Sequence, residues 1–304
     1  MSSDAFFYRI GEEIHVQNDG EPVFQEQIKL FGFGVDSGIE LPYEFDGTVP
    51  DDALKKRYAE RGVISEDEGY GFYVGDSVQM AIGQGLLSAT PLQLANGYAA
   101  IANGGFVNQP TILRAVWAPG TPDGEIGFAD LNTGTVDEVN RVPIRVRDME
   151  MTPENRDPII TGLTRVVTVG AGTPGTDIPY HATTGEKLFY DYPEEAIPVA
   201  GKTGTAQGAG NFPWNDSSAF VAFSLDNSEP YTVSAYLEKA GYGSQAAAPV
   251  VKCTFLMLSG LIETDPVVIS EPLDLGATTP APDQYLTDVG CFARRGGGGV
   301  VVTE

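Results

Sequence analysis

Apolar positions recur at helical spacing through the first hundred residues and again after residue 152, and they crowd into short strand-like runs between 197 and 238. At the start, Phe6, Phe7 and Ile10 form a partial apolar face behind Ser3 or Asp4, either of which can cap a helix. The stretch FQEQIKLFGFG reads as a second helix stopped by Gly32 and Gly34. Residues 35–75 are loop-rich, with Pro42, Pro50 and many acids, and ALKKRYAE is the helical candidate within them. The sharpest local signal is SATPLQLANGYAAIANGG. Thr90 suits an N-cap, Pro91 the first helical position, and Gln93 completes a capping box. Leu92, Ala95, Ala99 and Ala102 then share one face, and Asn103, Gly104 and Gly105 end the helix.

Beyond it, TILRAVWA and VNRVPIRVR are strand-like runs split by turns, and a helix is predicted from Thr152 to about Val169, stopped by Gly170 and Gly172. Residues 174–196 are polar and turn-rich. Three strands are predicted at 197–206, 219–225 and 231–238, the last two joined by the turn Asp226–Pro230. A closing helix over 246–263 is apolar on most sides, with 255–258 expected in the core. Helices, an antiparallel sheet and a terminal helix make an α+β fold with helices packed on the sheet. Residues 264–304, rich in Pro, Thr, Asp and Gly, read as a low-complexity, mostly disordered tail separate from a partial domain over 1–263.

Composition narrows the function. Hydrophobic residues make up 42% of the 304 and charged residues 20%, enough for a sizeable core. Acids outnumber bases 42 to 18, a net charge of -24, which disfavours nucleic acid and anionic membrane surfaces as partners. Such acidity suits solubility or a salty or extracytoplasmic setting. Cys253 and Cys291 are too few for a disulfide framework, lack zinc spacing and are not expected to bond. His15 and His181 make no metal motif, and no cofactor is implied. The N-terminus lacks a signal-peptide pattern, and no apolar run is long enough to span a membrane.

Candidate chemistry centres on GKTGT, residues 201–205. A lysine on a strand between glycines, with threonines beside it, can hold a carboxylate: the ammonium supplies charge and the hydroxyls supply donors. Lys-Thr-Gly is also the third part of a signature, with S-x-x-K and S-D-N, of penicillin-binding proteins and class A β-lactamases. Ser2-Ser3-Asp4 is the candidate for the second part. In order, SSDAFFY, FGFGVDSGIELP, AIGQGLLSATPLQLANGYAAIANGG, VTVGAGT, AGKTGTAQ, SSAFVAFSL and AGYGSQAAAPVV resemble the C-terminal portion of a class B penicillin-binding protein transpeptidase domain of the elongation type. The resemblance covers about residues 1–263.

That resemblance implies a penicillin-binding protein/serine β-lactamase-like fold and a ligand that is a stem peptide ending in D-Ala-D-Ala, or a β-lactam that mimics it. It implies that Lys202, Thr203 and Thr205 hold the ligand carboxylate and that Gly204 lets the peptide lie against the strand edge. The Thr205 N–H would form half of an oxyanion hole, Ser2 would relay a proton to the leaving amine, and Asp4 would orient the network where relatives carry Asn. Elongation-machinery proteins and the outer face of the bacterial membrane are the implied partners and location. The AIGQG loop and the helix after it are expected to shape the site floor, with Gly83 and Gly85 at its border. The departure is the nucleophile. None of Lys29, Lys55, Lys56, Lys187, Lys202, Lys239 and Lys252 has a serine three residues ahead of it. The expectation is therefore an N-terminally truncated domain, inactive alone. A non-catalytic module binding D-Ala-D-Ala peptides is one alternative. A serine β-lactamase relative is another, less favoured because of the AGYGSQAAAPVV block and the long insert between the second and third motifs.

Overall fold

A computed structural model describes residues 3–113, 115–117, 136–139, 143–168, 189, 192–208, 216–244 and 246–261. Ser2, Gly170, Gly172, Cys291 and the 264–304 tail lie outside the described residues. The helices are α1 (Asp4–Gln17), α2 (Val23–Leu30), α3 (Asp52–Glu60), α4 (Val74–Met80), α5 (Pro91–Ala102), α6 (Pro153–Val167) and α7 (Ala247–Leu258). The strands are β1 (Phe106–Asn108), β2 (Ala115–Trp117), β3 (Val136–Val139), β4 (Arg145–Asp148), β5 (Val199–Ala206), β6 (Ser217–Ser224) and β7 (Thr232–Leu237). β1 pairs with β4 and β2 with β3, while β5, β6 and β7 form an antiparallel sheet in that order. Helices flank this sheet, as the α+β reading expects.

Alternation along the strands sorts the sheet into two faces. Val199, Phe220 and Ala222 point to the side where α6 contributes Val166 and Val167 and α7 contributes Val251 and Phe255, making the main core. Val221 and Phe223 point the other way and are also buried, under α5, which packs on β6 and β7. On α7 the buried stripe runs Ala247, Ala248, Val251, Lys252, Phe255, Leu256. Met257 and Leu258 fall off this stripe and are exposed, which corrects the expectation that all of 255–258 is core. Cys253 is disulfide-bonded, against the expectation from cysteine count, and its partner lies outside the described residues.

The capping box forms as its residues dictate: the Gln93 N–H donates to Thr90 Oγ1 at 3.1 Å, and the Thr90 N–H donates to Gln93 Oε1 at 3.0 Å. The same amide donates to the carbonyls of Val35 and Asp46 at 3.0 and 2.8 Å, fastening the FGFGVDSG loop to α5. The most buried stripe of α5 is therefore Gln93, Gly97 and Ala100, not Leu92, Ala95, Ala99 and Ala102, which are half-buried. Gly97 explains the rotation, because a Cβ there would lie 3.2 Å from the Phe33 ring.

α1 also differs from expectation. Phe6 and Phe7 are 60% and 45% exposed, and Ser3 holds the cap position without a side-chain bond. The packed side is instead that of Gly11, where a Cβ would sit 2.6 Å from the Ser77 carbonyl oxygen, so α1 and α4 cross with backbones nearly touching. α4 is tied down at its start. Asp76 accepts from the Tyr73 N–H at 2.7 Å and pairs with the buried Lys55 ammonium at 2.6 Å.

Replacing Gln93 with Leu strands the carbonyls of Val35 and Asp46 and breaks the cap. Unfolding in urea should show a loss of about 2–4 kcal/mol. A loss below about 0.5 kcal/mol would mean that the loop does not depend on this amide.

Candidate active site

β5 carries VAGKTGTA and is the outer strand of its sheet among the described residues. The Leu225 N–H donates to the Pro198 carbonyl at 2.8 Å, which fixes the alternation. Even-numbered residues of β5 aim their backbone groups at β6, and odd-numbered residues aim theirs at the unpaired edge. The N–H and C=O of Thr203 and Thr205 therefore face outward along one line.

Two side chains reach those carbonyls. Lys202 Nζ donates to the Thr203 carbonyl at 2.8 Å, and Gln84 Nε2 donates to the Thr205 carbonyl at 3.3 Å. The side chains of Thr203 and Thr205 leave one face of β5 and that of Lys202 leaves the other, and the ammonium curls round the edge to the Thr203 carbonyl. Burial pushes the Lys202 pKa below the ordinary lysine value, and the Asp4 carboxylate at the start of α1 pushes back toward it. Lys202 and Asp4 are thus within electrostatic reach of each other. Ser2, the other expected catalytic residue, lies outside the described residues.

Glycines let backbones close around this edge. A Cβ at Gly204 would lie 3.2 Å from Ala219 Cβ, and one at Gly201 would lie 2.9 Å from Ala222 Cβ. A Cβ at Gly243 would collide with the Gly204 carbonyl. The Gly243 N–H donates to Thr205 Oγ1 at 3.3 Å. Ser218, fully buried, donates to the Tyr242 carbonyl at 2.9 Å and accepts from the Ala247 N–H at 2.9 Å. The turn before α7 is thus stitched to the strand at Thr205.

Gln84 was not among the expected site residues. Gly83 and Gly85, at φ +76° and +74°, bracket it. The Gly83 N–H donates to the Met80 carbonyl and the Gln84 N–H to the Gln79 carbonyl, a Schellman end to α4 that throws the Gln84 side chain toward β5. The available signal was a lone amide between two glycines that both need left-handed backbone. A partly open hollow of about 330 Å³ beside Lys55, Asp76 and Gly85 is lined by no residue of β5. Among the described residues no cluster of His, Cys, Asp and Glu could hold a metal, and no helix is long and apolar enough to cross a membrane.

The family model described as penicillin binding protein transpeptidase domain matches residues 1–255. The chain belongs to the penicillin-binding protein transpeptidase family. The Haemophilus influenzae peptidoglycan D,D-transpeptidase MrdA is 29% identical over 265 residues, which are 83% of this chain and 34% of that protein. Among solved structures, Pseudomonas aeruginosa PBP2 in complex with WCK 5153 superposes with a TM-score of 0.56 at 25% identity, covering 84% of this chain and 46% of that one. Helicobacter pylori PBP2 in its complex with MreC shares the fold, with a TM-score of 0.55 at 23% identity, covering 85% and 39% of the two chains. The chain thus spans about a third to a half of the length of these transpeptidase relatives.

Because the folded-state Lys202 pKa is depressed, carrying its charge opposes folding at neutral pH. That penalty fades as pH rises through the lowered value toward the unfolded 10.5. Asp4→Asn removes the one favourable carboxylate and should lower the Lys202 pKa further, as followed by NMR titration of its side-chain Cε. An unchanged or raised pKa would show that Asp4 does not act on this ammonium.

Proposed function

We propose that the chain carries the carboxylate dock and strand edge of a peptidoglycan D,D-transpeptidase site, binding stem peptides that end in D-Ala-D-Ala and the β-lactams that mimic them. The observation that carries the reading is the outward line formed by Thr203 and Thr205 with the Lys202 ammonium curled over it. The ligand's terminal carboxylate takes the place of the Thr203 carbonyl as acceptor for Lys202, joined by the hydroxyls of Thr203 and Thr205. Gly204 keeps the strand flat enough for the peptide to add as a further strand. The outward N–H of Thr205 then donates to the ligand carbonyl where negative charge develops, a contact of the kind worth about 3–4 kcal/mol in acyl transfer. Ser2 would relay the proton to the leaving amine only where an acylating serine completes the site, and Asp4 favours the charged form of Lys202.

The acylating serine is of the S-x-x-K kind in this family. No serine of this sequence stands in that relation to a lysine. The chain by itself is therefore read as a reversible binder, which is also what a non-catalytic peptide-binding module would be. By likeness to MrdA and to the PBP2–MreC complex, the setting is the outer face of the bacterial membrane, among proteins of cell elongation.

The test is calorimetric binding of N-acetyl-D-Ala-D-Ala to the full chain. Lys202→Gln should weaken binding roughly 10- to 100-fold, the scale of a charged hydrogen bond. Affinity should fall as pH rises through the depressed Lys202 pKa, below the ordinary 10.5. Fluorescent penicillin should leave no covalent adduct on the isolated chain. Unchanged binding by Lys202→Gln would remove the dock, and a covalent adduct would remove the reversible-binder reading.

A further inference from the structure

An extended peptide adding to β5 needs the outward carbonyls as acceptors for its own N–H groups, and those carbonyls already have donors. Lys202 Nζ holds that of Thr203, and Gln84 Nε2 holds that of Thr205. The two acceptors lie two residues apart on the same edge. A ligand whose carboxylate sits beside Lys202 therefore reaches the Thr205 carbonyl only through a second residue.

Gln84 is well placed to guard that second acceptor. Its side chain is half-buried and rises from the Schellman end of α4 between two left-handed glycines, so its base is fixed by backbone bonds while its amide reaches across to β5. The base is further steadied by the crossing of α4 with α1 at Gly11 and by the Lys55–Asp76 pair at the far end of α4. At 3.3 Å the bond to Thr205 is a long, neutral one, of the sort an incoming peptide N–H can replace.

We propose that Gln84 is a specificity-determining residue of this site: its amide stands in for the peptide N–H at the Thr205 carbonyl, and a ligand must present an N–H there to take its place. The inference rests on the β5-edge dock proposed above. A ligand that ends at the first residue leaves the Gln84 bond intact. A ligand with a second residue breaks it and makes an equivalent bond, so Gln84 lowers the gain from that residue and screens out chains that lack the donor.

Two ligands separate the effects. N-acetyl-D-alanine reaches the carboxylate dock but lacks the second N–H, whereas N-acetyl-D-Ala-D-Ala carries it. Binding of both is measured by calorimetry to the full chain and to Gln84→Met, which keeps the bulk and loses the donor. Gln84→Asn, too short to reach, serves as a second variant that keeps polarity. Both variants should bind N-acetyl-D-Ala-D-Ala roughly 2- to 10-fold more tightly and N-acetyl-D-alanine unchanged, the range of one neutral hydrogen bond. An unchanged or weaker dipeptide affinity in both variants, with Lys202→Gln still disruptive, overturns the role of Gln84 and leaves the dock standing. If Lys202→Gln changes nothing, or the wild-type chain binds neither ligand, the dock fails and the inference fails with it.

Discussion

An outer strand leaves every second backbone amide and carbonyl without a ladder partner, and the site is organised around that shortfall. On β5 the outward set includes Thr203 and Thr205, and both carbonyls are met by side chains, one from Lys202 on the same strand and one from Gln84 after α4. The unmet hydrogen bonds of an edge are ordinarily a hazard, inviting another chain to pair. In the proposed reading the same property would serve recognition; in the structure Lys202 and Gln84 keep the two outward carbonyls satisfied.

Two helices bring chemistry to that edge from outside the sheet. α1 and α4 cross at Gly11, where no side chain separates them, so they behave as one unit. The start of α1 places Asp4 where its charge is felt by Lys202, and the end of α4 places Gln84 on Thr205. Asp4 and Gln84 are 80 positions apart in the chain, yet their relation to the strand is set by a single helix crossing.

What could be read from sequence was what is local. The Thr90–Gln93 box, the hairpin at Asp226–Pro230 and the Lys-Thr-Gly strand are each determined within a few residues, and each stands where the pattern put it. Non-local packing was not legible. The buried stripe of α5 turns toward Gly97 because a ring from a distant loop fills the space there, and the Gln93 amide earns its burial from carbonyls 47 and 58 residues away. Gln84 escaped notice for the same reason, since its partner lies 121 residues further along. Phe6 and Phe7 had the right spacing for a buried face, but spacing does not say which side of a helix meets a neighbour, and Gly11 decided it.

The Ser218 hydroxyl joins the Tyr242 carbonyl to the first amide of α7, and Gly243 between them rests on Gly204 and holds Thr205. The helix that seals the apolar interior and the strand that carries Lys202 therefore share one fastening. A lineage drifting in its interior cannot repack α7 without disturbing β5. In this corner of the molecule, tolerance to change in the core and the shape of the strand edge are a single trait.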